Sequence, residues 1–173
     1  TFTHIISENL QTYLDKITDG FQVLPIVVLI GARQVGKTSL MKMYQIETDK
    51  HFMNGQDPET ADLLQKLSTI EAYLNVHLNE KLNGYLLLDE FQFIHGISTM
   101  MKLLTDKYDQ LRILCTGSSS LDILQQVEES LAGRVRTIEV LSLSFAEFLP
   151  FKDDKLHSLS KSLSSNTESS ALT

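Results

Sequence analysis

Apolar residues recur along this chain in two alternating rhythms. Ile6, Leu10, Tyr13, Leu14 and Ile17 fall at helical spacing with a polar opposite face, which predicts a helix over residues 3–17 that stops at Asp19-Gly20. The unbroken run Ile26–Ile30 predicts a core strand, with Pro25 at its start, where a missing N–H is tolerated. Leu40, Met41 and Met43 then mark a helix from Ser39, its methionines serving as core filler. His51–Asn54 reads as a second strand, and Asp57 as the N-cap of a helix with Pro58 at its first position. Ser68-Thr69-Ile70-Glu71 fits a capping box, opening a helix that buries Ile70, Leu74 and Leu78 and ends near Asn83-Gly84. Tyr85–Leu88 predicts a third strand and Met100, Leu103, Leu104 and Tyr108 a helix, followed by a fourth strand over Arg112–Thr116. Leu121, Leu124, Val127 and Leu131 space a further helix, and Thr137–Leu141 makes a fifth strand. Strands alternating with helices at these intervals imply an α/β sandwich around a mostly parallel sheet.

Candidate chemistry enters where the first strand ends. Gly31-Ala32-Arg33-Gln34-Val35-Gly36-Lys37-Thr38 meets every fixed position of the pattern G-x-x-x-x-G-K-[ST], between a strand and a helix. Backbone N–H groups and a helix N-terminus in that order make an anion cradle over Gly31–Ser39, with Lys37 reaching the β- and γ-phosphates of a nucleotide. The apolar strand Leu86-Leu87-Leu88 ends in Asp89 and Glu90. Parallel strands deliver their C-termini to the edge that holds the phosphate loop. Asp89 is therefore expected to share a magnesium ion with the Thr38 hydroxyl, and Glu90 to polarise water for attack on the γ-phosphate.

Two weaker signals follow. Thr116 or Ser118, at the end of the fourth strand, offers a hydroxyl to the γ-phosphate or the attacking water, though Ser118–Ser120 also suits a turn capping the next helix. Arg134, beside Gly133, is a candidate for neutralising charge on the transferred phosphoryl group, and Arg136 a lesser one. Arg33, Gln34 and Gln92 are minor candidates for contact. The histidines His4, His51, His77, His95 and His157 lack metal-ligand spacing and are given no role.

Composition narrows the picture without changing it. The 173 residues carry 42 % hydrophobic and 21 % charged residues, the balance of one globular domain. A net charge of −7 argues against the chain as a whole enveloping nucleic acid. The single cysteine, Cys115, lies in an apolar run and reads as a buried small hydrophobe; with no disulfide framework the expected location is cytoplasmic. No apolar stretch is long enough to span a bilayer, so no membrane association is expected. Thr1 is not a methionine, which suggests a fragment, and the serine-rich tail 151–173 reads as a linker or the start of a further domain after a domain over 1–150.

These motifs resemble a group of prokaryotic AAA-type ATPases. That group's phosphate loop differs from residues 31–38 by a proline at position 32, and its Asp-Glu-Ile-Gln is similar to Asp89-Glu90-Phe91-Gln92. Thr-Gly-Ser-Ser-Ser is matched by 116–120, Leu-Ala-Gly-Arg by 131–134, and Leu-Ser-Phe-x-Glu-Phe by 143–148, with Ser142 standing for a usual proline. The resemblance covers roughly residues 1–150. It implies a three-layer P-loop NTPase sandwich with sheet order 5-1-4-3-2, ATP rather than GTP as ligand, and a second C-terminal domain beyond this chain. The leading expectation is a magnesium-dependent ATP hydrolase whose turnover drives or times that domain, through which alone nucleic acid would be reached. A nucleotide-gated interaction switch is the second reading and a small-molecule kinase the third, the latter disfavoured because Asp89-Glu90 would activate water. A homo-oligomer is left open.

Overall fold

The computed structural model describes residues 2–44, 49–79, 81–118, 125, 127 and 129–142, with side chains from residue 10 onward. Thr12–Leu141 form one compact unit; Thr1–Gln11 and Ser142–Thr173 form another, described only for the first turns of a helix and for Ser142. The elements run α1 (Phe2–Val23), β1 (Ile26–Gly31), α2 (Lys37–Met43), β2 (Lys50–Asn54), α3 (Pro58–Leu63), α4 (Leu67–His77), β3 (Gly84–Asp89), a 3₁₀ turn (Phe91–Phe93), α5 (Ile97–Lys107), β4 (Leu111–Ser118) and β5 (Val135–Glu139). No described helix is long and apolar enough to cross a membrane.

The five strands form one sheet in the order β2-β3-β4-β1-β5, every neighbouring pair parallel. This is the expected order read from the other edge. The register fixes the site: β4 lies between β1 and β3, with Leu29 opposite Thr116 and Gly31 opposite Ser118. Strand residues alternate between two covered faces. Ile26, Val28, Leu86, Leu88, Ile113 and Cys115 pack with Leu64, Ile70, Leu74, Met101 and Leu104 of the α3–α5 side. Val27 and Tyr85 point the other way, toward Gly20 and Phe21 of α1. Burial on both sides is why β1 reads as an unbroken apolar run.

Five local expectations need correction. Helix α1 does not stop at Asp19-Gly20 but runs to Val23. Gly20 is a contact point: a Cβ there would sit 2.9 Å from the Val27 side chain, so the missing side chain lets helix and sheet approach. The residues 68–71 do not cap α4, which starts at Leu67 with Lys66 in the cap position. The helix ends at His77 rather than near Asn83, because Asn79 Oδ1 accepts the backbone N–H groups of Lys81 and Asn83 and closes a turn. Strand β5 begins two residues early, at Val135, and Met43 lies exposed rather than in the core. Asp57 holds the N-cap position of α3 as expected, without a side-chain capping bond. Of the helix expected after β4, Val127 and Leu131 are buried, whereas Leu121 and Leu124 lie outside the described residues.

Candidate nucleotide site

The loop between β1 and α2 is shaped by two left-handed residues, Gln34 at φ 65° and Gly36 at φ 96°. The second suits glycine, whose lack of a Cβ removes the steric cost. Ala32, Arg33, Gln34, Gly36 and Ser39 are exposed, Val35 and Thr38 half-buried, and Gly31 buried, so the loop opens to solvent above a closed floor. Lys37 is only 5 % exposed. Its ammonium donates to the carbonyls of Gly31 at 3.0 Å and Ala32 at 2.7 Å, folding the side chain back over the loop.

Asp89 meets this loop from β3. The Thr38 hydroxyl donates to its carboxylate, 3.0 Å from each oxygen. From beneath, the fully buried Thr116 donates its hydroxyl to Asp89 Oδ1 and accepts the Glu90 N–H at 3.0 Å. A carboxylate with 6 % exposure, flanked by a hydroxyl, is a hard-oxygen donor pair of the kind magnesium takes. The residues therefore fit the ion. The arrangement also separates the two hydroxyls that the sequence left equivalent. Thr116 is committed to Asp89 and Glu90, while half-buried Ser118 ends β4 level with Gly31.

Glu90 follows in the left-handed region at φ 52°, a conformation costly for a residue with a side chain. Its N–H bond to Thr116 and the Phe93 N–H on its carbonyl at 3.2 Å hold it there. Gln92, a minor candidate by sequence, donates its amide to Glu90 Oε2 at 2.5 Å. Only the 3₁₀ turn over Phe91–Phe93 brings the two side chains together, and nothing in the residue pattern announces that turn.

Arg134 is not brought to this site. It precedes β5, and its carbonyl accepts the N–H of Ile26, the first residue of β1. The loop lies at the other end of β1, about 17 Å away at about 3.3 Å per residue. Its guanidinium grips Asp106, Nε at 2.6 Å and a terminal nitrogen at 3.1 Å. That pairing holds the Asp106 carboxyl below the usual carboxylate range and strengthens the positive charge on Arg134. The guanidinium is thus held at the end of β1 opposite its own chain's phosphate loop. Arg136, on β5 opposite Val27, lines a separate cleft with Lys16, Asp19 and Glu139, four residues of β1 short of Gly31. Residues 143–148 and Ser119-Ser120, also singled out by sequence, lie outside the described residues.

Among the described residues no group of three or more His, Cys, Asp or Glu is placed to hold a metal. The site's ion would rest on Thr38, Asp89 and phosphate oxygens. His77 stacks on Tyr73, and His51 lies tilted against it with ring centres 4.3 Å apart.

A parallel sheet in this order, with a phosphate loop after β1 and an acid at the end of β3, defines a P-loop nucleoside-triphosphatase fold. The chain belongs to the AAA domain family, whose profile matches residues 24–149. An uncharacterized protein of Methanocaldococcus jannaschii is 32% identical over 134 residues, covering 74% of this chain and 29% of its own length. An uncharacterized protein of Mycobacterium tuberculosis is 29% identical over 137 residues, 76% of this chain and 28% of that protein. The chain thus spans less than a third of either relative. Among solved structures, a Walker-type ATPase of Pyrococcus abyssi superimposes with a TM-score of 0.58 at 17% identity, over 84% of this chain and 56% of that one.

Proposed function

We propose that this chain is the ATP-hydrolysing core of a longer protein, using ATP and Mg²⁺ in the cytoplasm. The reading is carried by one observation: the Thr38 hydroxyl at the start of α2 and the Asp89 carboxylate at the end of β3 meet at 3.0 Å beside the phosphate loop. In this reading the backbone of Gly31, Ala32, Arg33, Gln34, Val35, Gly36 and Ser39 lines the phosphate cradle, and Lys37 leaves its two carbonyl partners for the β- and γ-phosphates. Thr38 and Asp89 hold the magnesium ion, which when bound neutralises phosphate charge.

Glu90 accepts a proton from water as the water oxygen bonds to the γ-phosphorus. The bond from that phosphorus to its bridging oxygen breaks, and the electron pair leaves with ADP. Ser118 senses the γ-phosphate; Thr116 positions the two acids. Arg134 serves a neighbouring subunit's nucleotide in a homo-oligomer, a reading that its distance from its own loop supports. The sequence beyond residue 150 leads toward a C-terminal effector domain that turnover drives or times.

The test is phosphate release by this chain and by a longer one containing it, with ATP or GTP, with and without Mg²⁺. Magnesium-dependent hydrolysis of ATP that Glu90→Gln abolishes is expected. Tight ATP binding with no release would replace the hydrolase by a nucleotide-gated switch.

A further inference from the structure

The contact between Gln92 and Glu90 has an unusual second half. The Gln92 amide nitrogen lies 2.5 Å from Glu90 Oε2, yet its carbonyl oxygen is buried with no hydrogen-bond partner. That oxygen faces Gly117, 3.2 Å from where a Cβ on Gly117 would stand. A buried acceptor without a donor is a standing penalty, and native structures keep few of them. Turning the amide over would not relieve it, because the carbonyl would then face the carboxylate, acceptor against acceptor. The amide is held in one sense by the charge-assisted bond it makes to Glu90.

The backbone enforces the same geometry. Phe91 and Ile94, both 3 % exposed, anchor the chain on either side of Gln92, and Glu90 is pinned in its left-handed conformation by Thr116. The side chains at 90 and 92 are thus folded toward each other at the end of β3.

We infer that Gln92 is a positioning residue for Glu90: it engages one carboxylate oxygen, so that the other, Oε1, is the one presented to the attacking water. This rests on the ATP-hydrolase reading and names a residue that reading does not require. Gln92 touches neither nucleotide nor water in this role; it acts through Glu90. A general base loses rate when its proton-accepting oxygen is free to wander, so the effect belongs to kcat and not to nucleotide binding.

The test is steady-state ATP hydrolysis with Mg²⁺ by Gln92→Leu and Gln92→Glu, each in the parent chain and in a Glu90→Gln background. In the parent, both variants are expected to lower kcat by about 10- to 100-fold with KM unchanged within about twofold. In the Glu90→Gln background they are expected to change the residual rate by less than about twofold, because the group acted upon is gone. A side chain that only filled space would lower both backgrounds alike, and that result overturns the proposal, as does an unchanged kcat. Urea midpoints of Gln92→Leu in the parent and in Glu90→Ala supply a second reading independent of turnover. Unequal shifts support the contact, and equal shifts overturn it. A parent chain that never hydrolyses ATP overturns the hydrolase reading, and with it the catalytic meaning of Gln92, whatever the midpoints show.

Discussion

The Thr38 hydroxyl donates to both oxygens of the Asp89 carboxylate, at 3.0 Å each, across a separation of 51 residues. Neither residue carries meaning alone: a threonine opening a helix and an aspartate closing a strand are commonplace. Their meeting beside Lys37 is what the proposed divalent-ion role rests on. Asp89→Asn should therefore remove the part of ATP affinity that depends on magnesium, about 1–3 kcal/mol, and leave metal-free binding unchanged. Titrating a fluorescent ATP analogue with Mg²⁺ and with EDTA measures both. Equal losses in the two conditions would show that Asp89 does not serve the ion.

The Lys37 ammonium donates to two backbone carbonyls of the loop. In the proposed ATP-binding reading it exchanges them for phosphate oxygens, a charge-assisted contact. Lys37→Ala is expected to weaken ATP binding by about 2–3 kcal/mol, or about 30- to 150-fold. Equilibrium dialysis with ATP decides it, and unaltered affinity would remove the cradle assignment.

Thr116 is fully buried and serves two masters, donating to Asp89 and accepting from Glu90. Thr116→Val keeps the shape, strands the Glu90 N–H and leaves Asp89 with Thr38 alone, so stability should fall by about 1–3 kcal/mol, lowering Tm by roughly 3–8 °C, and turnover should fall with it. Thr116→Ser keeps the hydroxyl and loses a methyl, costing about 1 kcal/mol with turnover retained. Calorimetry and phosphate release on the pair separate the hydroxyl from the volume. If valine hydrolyses as well as serine, the positioning role is wrong.

Gly20 lies inside α1, where alanine would ordinarily stabilise by about 1 kcal/mol. Its added methyl would meet Val27 at 2.9 Å and Arg136 at 3.3 Å, so Gly20→Ala should instead destabilise by about 1–3 kcal/mol. The urea midpoint reads the sign directly; a rise would mean that the helix can lift off the sheet without loss.

Cys115 is entirely buried, and burial pushes its thiol far above its ordinary value of 9.0. The folded chain should therefore give no reaction with an aromatic disulfide reagent at pH 8, whereas unfolding in guanidinium should release one reactive thiol per chain. The sign of the pH dependence follows from the same burial. The folded state retains a proton that the unfolded state loses above about pH 9, so this contribution is full below that pH and declines as pH rises beyond it. Denaturation midpoints at pH 8 and pH 10 check the direction.

The phosphate loop and the acid-ended strand are legible in sequence because each is a local pattern. An unbroken apolar run, a fixed glycine–lysine spacing and a carboxylate at a strand end need no knowledge of what lies beside them. Division of labour between Thr116 and Ser118 is not local, since it depends on which residue of β4 stands level with Asp89. The fate of Arg134 turned on the start of β5, expected at Thr137 and found at Val135. The residue just before a parallel strand sits at the edge opposite the phosphate loop, and no residue type can override that. Gly20 misled for a related reason: glycine marks helix ends and close approaches alike, and only the position of Val27 tells them apart.

Strand β4 stands between the phosphate loop's own strand and the acidic one, and Thr116 near its C-terminal end holds Asp89 and Glu90. Removing or adding one residue upstream in β4 would rotate Cys115 or Gly117 into that place, and neither can replace the hydroxyl. Surface loops of this molecule can lengthen over generations with little consequence. This one strand works as a ruler between the two halves of the site, and descendants must inherit it at constant length.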